Sequence, residues 1–331
     1  MDDDARVLNI ERALIPPPGP TPVPIGVEFH ITNLNEIDSE KECFQVTGTL
    51  TLTWKDTRLA FDPEATGIRA QVFQGSYQVN EVSPAWYPQV VLANAFNGYD
   101  KQGSILRIHP DGTCEFTESL TATARVRFDL RHLPFDKQTL MLDFQILGFR
   151  FDEVQFNESQ HSVVSNRDDL RVAQWKVGEI ASRIDIAPNS YNRSSAFIVM
   201  IGVTREPLFM LRTIILPLML CVLLSMSVFW MEPTDLGDRM NVSCFGILTS
   251  VAYLIVISDL LPQISYVTLT HVFLNASLLV MFATAIMNLT VYLYEKRGHS
   301  SHWIDVLCRW GFPSFYLGAI GLAFLWIGVL S

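Results

Sequence analysis

The chain has 331 residues, of which 49% are hydrophobic and 18% charged, and its 34 acidic against 24 basic side chains leave a net charge of −10. That balance argues against a nucleic-acid surface and favours cations or plain solvation, while the length suggests about two domains. The charge is unevenly divided, because only six of the acids and five of the bases lie from Pro207 onward.

The opening MDDDARVLN carries no signal peptide, and an N-terminal domain that crosses a membrane needs one, so a leader is expected to have been removed. Residues 1 to about 15 can form a short helical turn, and PPPGPTPVP from Pro16 to Pro24 is extended linker, so 1–24 is read as an N-terminal extension. A period of two then begins. Ile25, Val27, Phe29 and Ile31 alternate with other residues; Val46, Gly48, Leu50, Leu52 and Trp54 alternate with four threonines. The pattern returns at Ala122 to Leu130, at Trp175 and Val177, and at Phe197 to Val203. Many short strands separated by turn signals such as His109-Pro-Asp-Gly112 predict an all-β, immunoglobulin-like antiparallel sandwich over 25–206.

Five cysteines show no metal-ligand spacing, and Cys43 and Cys114 lie where a disulfide is chemically permitted, with their pairing open. His299 and His302 are the one close histidine pair. With no HExxH, GxSxG or glycine-rich phosphate loop, neither an enzyme, nor a metal site, nor a cofactor is expected.

From Pro207 on, four apolar segments, about 208–230, 240–261, 267–294 and 310–330, each reach the roughly 20 residues that cross a bilayer. These predict an all-α four-helix transmembrane domain over 207–331. Lys296, Arg297 and Arg309 lie between the third and fourth segments, whereas the loop between the second and third has neither Lys nor Arg. The basic loop is therefore assigned to the cytoplasm, and the N-terminal domain and C-terminus to the outer side. Pro217 is placed to kink the first span.

The second span differs from the others. Asn241, Phe245, Leu248, Ala252 and Ile255 recur at steps of four and three, which puts them on one helical face, with Asp238 and Asp259 near its two ends. One reading is a bundle helix with charged ends at the headgroups. The other is a pore-lining helix repeated around an axis by identical subunits, each level forming a ring of side chains. Asp238 likewise has two roles open to it, complementing the helix dipole or forming a carboxylate ring at the cytoplasmic mouth.

Several ordered motifs resemble the pentameric ligand-gated ion channels, the Cys-loop receptor superfamily, and in particular their prokaryotic members with amine or pH gating. Trp54-Lys-Asp56 is similar to the family's tryptophan-x-aspartate segment, and Trp86-Tyr-Pro88 to its W-x-P segment. Phe128 to Leu140, with Pro134-Phe135-Asp136 at its core, resembles the signature loop. Val126 and Leu140 stand where animal receptors carry the two loop cysteines, which is the usual prokaryotic form. Arg205-Glu206-Pro207 matches the approach to the first span, and Gly237 to Pro262 the pore helix.

The resemblance implies a homopentamer in a bacterial inner membrane, in contact with lipid, passing monovalent cations and opened by a small cationic ligand such as an amine, or by protons. A non-conducting, membrane-anchored sensory sandwich is the remote alternative. The resemblance further implies a pore lined by Asp238, Asn241, Phe245, Leu248, Ala252, Ile255 and Asp259, and coupling through Asp38, Phe135, Asp136, Arg205 and Pro262. Ligand contacts fall at Phe149 and Tyr191. Thr49 and Ala93 stand where animal receptors often carry aromatics, so a quaternary-ammonium cage is incomplete.

Overall fold

The computed structural model describes residues 14–165, 170–187, 193–231, 236–258, 266–298 and 302–330. Contacts divide the chain into two units, 1–128 with 137–204, and 129–136 with 205–331. The eight residues 129–136 thus belong with the helices rather than with the strands that flank them.

Among the described residues the first unit contains ten strands: β1 (Val23–Asp38), β2 (Cys43–Lys55), β3 (Gln71–Gln74), β4 (Val90–Leu92), β5 (Ala95–Ile108), β6 (Thr113–Arg125), β7 (Lys137–Ile146), β8 (Val154–Ser165), β9 (Trp175–Ile186) and β10 (Ser195–Arg205). They form a six-stranded sheet in the order β3-β5-β6-β2-β1-β8 and a four-stranded sheet in the order β4-β7-β10-β9. Alternation in sequence becomes alternation in burial: Ile25, Val27, Phe29 and Ile31 are all buried, as are Val46, Leu50, Leu52 and Trp54. Their rings meet between the sheets, Phe29 on Phe144 at 5.0 Å and Phe144 on Phe197 at 6.3 Å.

One pairing departs from the expected antiparallel pattern, since β1 runs parallel to β8, with Val23 opposite Val154 and Ile31 opposite Ser165. Hydrophobic alternation reports which face is buried, and it has the same period in both pairing senses.

Cys43 stands opposite Arg125, and Cys114 opposite Trp54, at the two ends of the same β2–β6 ladder. Eleven ladder positions at about 3.3 Å each separate them far beyond disulfide reach. Both are free thiols pushed up in pKa by burial, Cys114 to about 12.

Among its described residues the second unit carries four long helical segments: α1 (Leu208–Trp230), α2 (Leu236–Ser258), α3 (Leu269–Lys296) and α4 (His302–Leu330). By length and composition α1 and α3 pass as membrane-crossing helices among the described residues. In α2, Asn241, Ser243, Thr249 and Ser250 lower the apolar average. A wide helical turn over Leu211–Ile215 directly precedes Leu216-Pro217 in α1, which is how the helix accommodates a proline without an N–H. The start of α4 precedes the apolar segment 310–330, because its first two turns carry His302, Asp305 and Arg309.

Small residues bring α1 and α2 together. A Cβ added to Gly246 would meet Ser225 Oγ, so with Ser225 in this rotamer the glycine leaves room for the neighbouring helix.

Candidate functional site

Every described member of the predicted stripe lies on one exposed face of α2. Asp238, Asn241 and Ala252 are exposed, and Phe245, Leu248 and Ile255 are 68%, 66% and 64% exposed. The opposite face is buried through Arg239, Ser243, Ser250 and Ile257. Its contacts are polar: Asn288 Nδ2 of α3 donates to Ser243 Oγ at 2.9 Å, Ser250 Oγ meets Met281 Sδ at 3.2 Å, and the Tyr253 hydroxyl donates to the Thr213 carbonyl of α1. These contacts fix the rotation of α2, and the rotation leaves a column that runs from carboxylate through amide to large apolar side chains. Asp259, at the far end of that column, lies outside the described residues.

At the start of α2 two consecutive charges diverge. Asp238 is exposed, whereas Arg239 is fully buried and forks onto the Asp305 carboxylate of α4 at 3.2 and 3.3 Å, with the Met231 carbonyl as a further acceptor. The negative charge is left on the exposed side.

A second buried pair lies in the segment before the helices. Arg205 Nε donates to Asp136 Oδ1 at 2.8 Å and Nη2 reaches Oδ2 at 3.4 Å, with both side chains almost wholly buried. The Arg205 amide also donates to the Asp136 carbonyl at 3.1 Å, so backbone and side chain make the same connection. Charge-assisted, two-point pairing of this kind is rigid as long as both members are present and costly once one is removed.

The loop bearing Asp136 is itself stapled to the start of α3. Leu269 N–H donates to the Arg131 carbonyl at 3.0 Å, Thr270 Oγ1 to the Leu133 carbonyl at 2.8 Å, and the Leu130 N–H to the Tyr266 hydroxyl at 3.0 Å. The Arg131 guanidinium sits 5.7 Å from the Tyr266 ring centre. Phe135 lines an apolar cavity of about 130 Å³ with Pro134, Thr270, Phe273 and Tyr316. Asp136 and Arg205 are thus paired and Phe135 precedes Asp136 in the same loop, while Tyr266, Leu269 and Thr270 were not singled out from the sequence. Nothing local marks them, since their partners lie more than 130 residues away.

Asp38 forms a compact turn of its own. Its carboxylate accepts from the Glu40 and Lys41 amides at 3.0 and 2.9 Å and pairs with Lys41 Nζ at 2.9 Å. Burial pushes this carboxyl up, but the Lys41 contacts outweigh it and hold the pKa below its ordinary value. Pro262 lies outside the described residues.

Of the two predicted ligand contacts, Tyr191 also lies outside them. Phe149 is half-buried and stands edge-on to Trp86 at 5.7 Å, and Trp86 stands edge-on to Trp54 at 6.0 Å. A separate cavity of about 580 Å³ is lined by Tyr87, Tyr99 and Phe116, with Lys101 and Glu118 ion-paired at 2.8 Å on its wall; Phe149 is not part of it.

Asp143 is an acidic group with only one of its two oxygens bonded. Asp143 on β7 accepts from Gln145 Nε2 at 2.9 Å through Oδ2, but Oδ1 is buried with no hydrogen-bond partner. Burial pushes its carboxyl above the ordinary value, Gln145 opposes that, and the charge of Asp185 adds to it.

The sequence profile described as the neurotransmitter-gated ion-channel ligand binding domain matches residues 9–205. The chain is 26% identical over 319 residues to a proton-gated ion channel of Gloeobacter violaceus, covering 95% of this chain and 86% of that one. It is 26% identical to the gamma-aminobutyric acid receptor subunit theta of Mus musculus, over 87% of this chain and 44% of that one. It is 25% identical to the acetylcholine receptor subunit beta of Xenopus laevis, over 85% and 59% respectively. The chain therefore spans most of the Gloeobacter protein and about half of the two animal subunits.

Proposed function

The chain belongs to the neurotransmitter-gated ion-channel ligand-binding-domain family, one of channels and not of enzymes, and from that premise we propose that five copies form a cation-selective channel opened by a small extracellular ligand such as an amine. The observation that carries this reading is the exposed column on α2. Lipid alone accepts outward Phe245, Leu248 and Ile255, but it rejects Asp238 and Asn241 exposed on that same face, so the reading has water in front of the column. A fivefold axis in front of that face converts each exposed residue into a ring.

In this arrangement Leu248 and its neighbours form the barrier. A narrow apolar ring sheds water, so ions stop there without the walls touching. Asp238 supplies five carboxylates at the cytoplasmic mouth, and Asn241, one turn deeper, offers amide oxygens in place of lost hydration. Such a mouth concentrates cations and repels anions. The Asp136–Arg205 pair and the loop stapled to α3 carry the movement of the ligand-binding domain to the helices, because a rigid buried pair shifts as one body. Phe149 and Tyr191 are the proposed ligand contacts. The protein is placed in a bacterial inner membrane with its sandwich and C-terminus outside, and the sandwich is read as 25–206 and the membrane domain as 207–331.

Proton gating is the second reading, favoured by Asp143. A buried carboxylate with an unpartnered oxygen is a group whose protonation relieves a local cost, and the Gloeobacter relative is described as proton-gated.

The test is current recorded from the purified protein in planar bilayers under a NaCl gradient, first stepping pH and then adding primary amines. A reversal potential near the cation equilibrium is expected. A value near the chloride equilibrium overturns the selectivity, and the order in which current appears separates the two triggers.

A further inference from the structure

We infer that Asp305, in the first turns of α4, determines the ion selectivity of the cytoplasmic mouth by holding the Arg239 guanidinium away from the pore. The inference rests on the channel reading above, in which Asp238 forms the carboxylate ring.

Arg239 follows Asp238 directly, so a fivefold ring of acids carries a fivefold ring of bases one residue away in sequence. Successive side chains on a helix diverge by about 100°, which separates their directions but does not by itself silence the arginine, whose long stem lets the charged head seek water. What silences it is a position on another helix. Nη1 and Nη2 of Arg239 fork onto Oδ1 and Oδ2 of Asp305, and the side chains of Arg239 and Asp305 are 0% and 5% exposed.

The hold is strong and also incomplete. Beyond Asp305, Nη2 reaches the Met231 carbonyl, while Nε is buried without a partner among the described residues. The guanidinium is therefore kept in place by one carboxylate rather than by a saturated cage. That carboxylate is in turn located by packing of α4 on the end of α1: Arg309 donates to the Phe229 carbonyl at 3.0 and 3.3 Å, and the Phe229 and Phe312 rings lie 5.4 Å apart.

Removing the Asp305 charge leaves Arg239 as a buried cation without a counter-ion, a state that favours any route to water. The neighbouring exposed site is that of Asp238, at the mouth. Five released guanidinium groups there would offset five carboxylates. One unit charge about 7 Å from an ion in a water-like medium changes the local ion concentration about threefold, so the change is measurable. Asp305 is accordingly a positioning residue for selectivity, although it belongs to the helix that contributes nothing to the exposed column.

The test uses the full chain in planar bilayers under a NaCl gradient, with wild type, Asp305→Asn, Arg239→Gln and the double variant compared. Asp305→Asn is expected to lower the cation-to-anion permeability ratio about threefold or more. Arg239→Gln and Arg239→Gln/Asp305→Asn should both keep a ratio at or above wild type, because no positive charge remains to be released. A clasp that is merely structural predicts the same defect in all three variants. Arg239→Lys provides an independent arm if Asp305→Asn does not assemble: it keeps the charge, loses the two-point fork, and should shift the ratio in the same direction. An unmoved ratio in Asp305→Asn or in Arg239→Lys, or an anion shift in the double variant equal to that of Asp305→Asn, overturns the inference while wild type stays cation-selective. An anion-selective wild type instead removes the cation-selective reading on which it stands.

Discussion

The two units solve the burial problem in opposite ways. In the sandwich the interior is aromatic and aliphatic, with Phe29, Phe44, Phe144, Phe156 and Phe197 almost fully buried, and polar side chains take the outer faces. In the helical unit the buried set includes Arg239, Ser243, Ser250, Ser277, Thr284, Asn288 and Asp305, while Phe245, Leu248, Leu279, Ile286, Leu307 and Trp310 face outward. Water rewards the first arrangement. Lipid gives no such reward for burying apolar surface, so the second unit is held by small residues, hydrogen bonds and ion pairs, and its outward apolar side chains are at no disadvantage. The same residue type therefore carries different meanings in the two halves of one chain: an outward leucine gains nothing from water in the sandwich and is an ordinary wall residue in the helices.

The largest expected effect falls on the buried pair of the second unit. Arg205→Ala should abolish agonist-evoked current, and removing one member of a buried pair costs about 3–5 kcal/mol. Size-exclusion chromatography must first show a normal pentamer, and ligand binding measured by calorimetry should be largely retained. Normal gating in that pentamer would end the proposed coupling role.

Substituting leucine by serine in both units puts the comparison itself at risk. Leu50→Ser in the sandwich core should cost about 2–5 kcal/mol, read as a lower denaturant midpoint. Leu248→Ser should leave thermal stability nearly unchanged and instead produce spontaneous current or a lowered activation threshold. Equal loss of stability in the two variants, with no change in leak, would show that Leu248 is a packing residue.

Much of this contrast is legible in the sequence, and the part that is not has a physical cause. Period two over Val46–Trp54 and steps of four and three over Asn241–Ile255 identify which residues share a face, because backbone geometry imposes those periods. Periodicity is silent about the solvent that a face meets. It is equally silent about pairing sense, which is why the β1–β8 ladder runs parallel against expectation. The ends of the stripe stand out as charges and the Pro134–Asp136 core as a motif with Arg205 named beside it, but the partner of Arg239 and the partners of the loop on α3 do not stand out. Asp305, Tyr266 and Thr270 are ordinary residues in their local context, and only the closure of chain segments 66 to 137 residues apart makes them matter.

A smaller effect sharpens the comparison from the polar side. Asn288→Leu breaks the hydrogen bond to Ser243 that sets the rotation of α2, and such interhelical bonds contribute about 0.6–2 kcal/mol. The expected result is a modestly lowered melting temperature in detergent together with a shifted dose response.

The smallest effect comes from the half-buried Asp143 carboxyl of the sandwich. The folded pKa of Asp143 is raised, so the unfolded chain loses this proton first as pH climbs above 3.8, and stability falls until pH passes the higher folded value. Asp143→Asn should therefore stabilise the protein at neutral pH, with the advantage fading as pH drops through that window. If protons are the trigger, the same variant also flattens the pH response of the current. A pH-stability profile parallel to that of wild type would show that Asp143 is adequately solvated.

The central claim, that one face of α2 lines the pore, is tested most directly by cysteine substitution along the helix in a background with the five native cysteines replaced. A charged methanethiosulfonate reagent should block current at Asn241→Cys, Phe245→Cys, Leu248→Cys and Ala252→Cys, and should leave Ser243→Cys and Ser250→Cys untouched. Block at positions 243 and 250, or block with no helical period, would contradict the account.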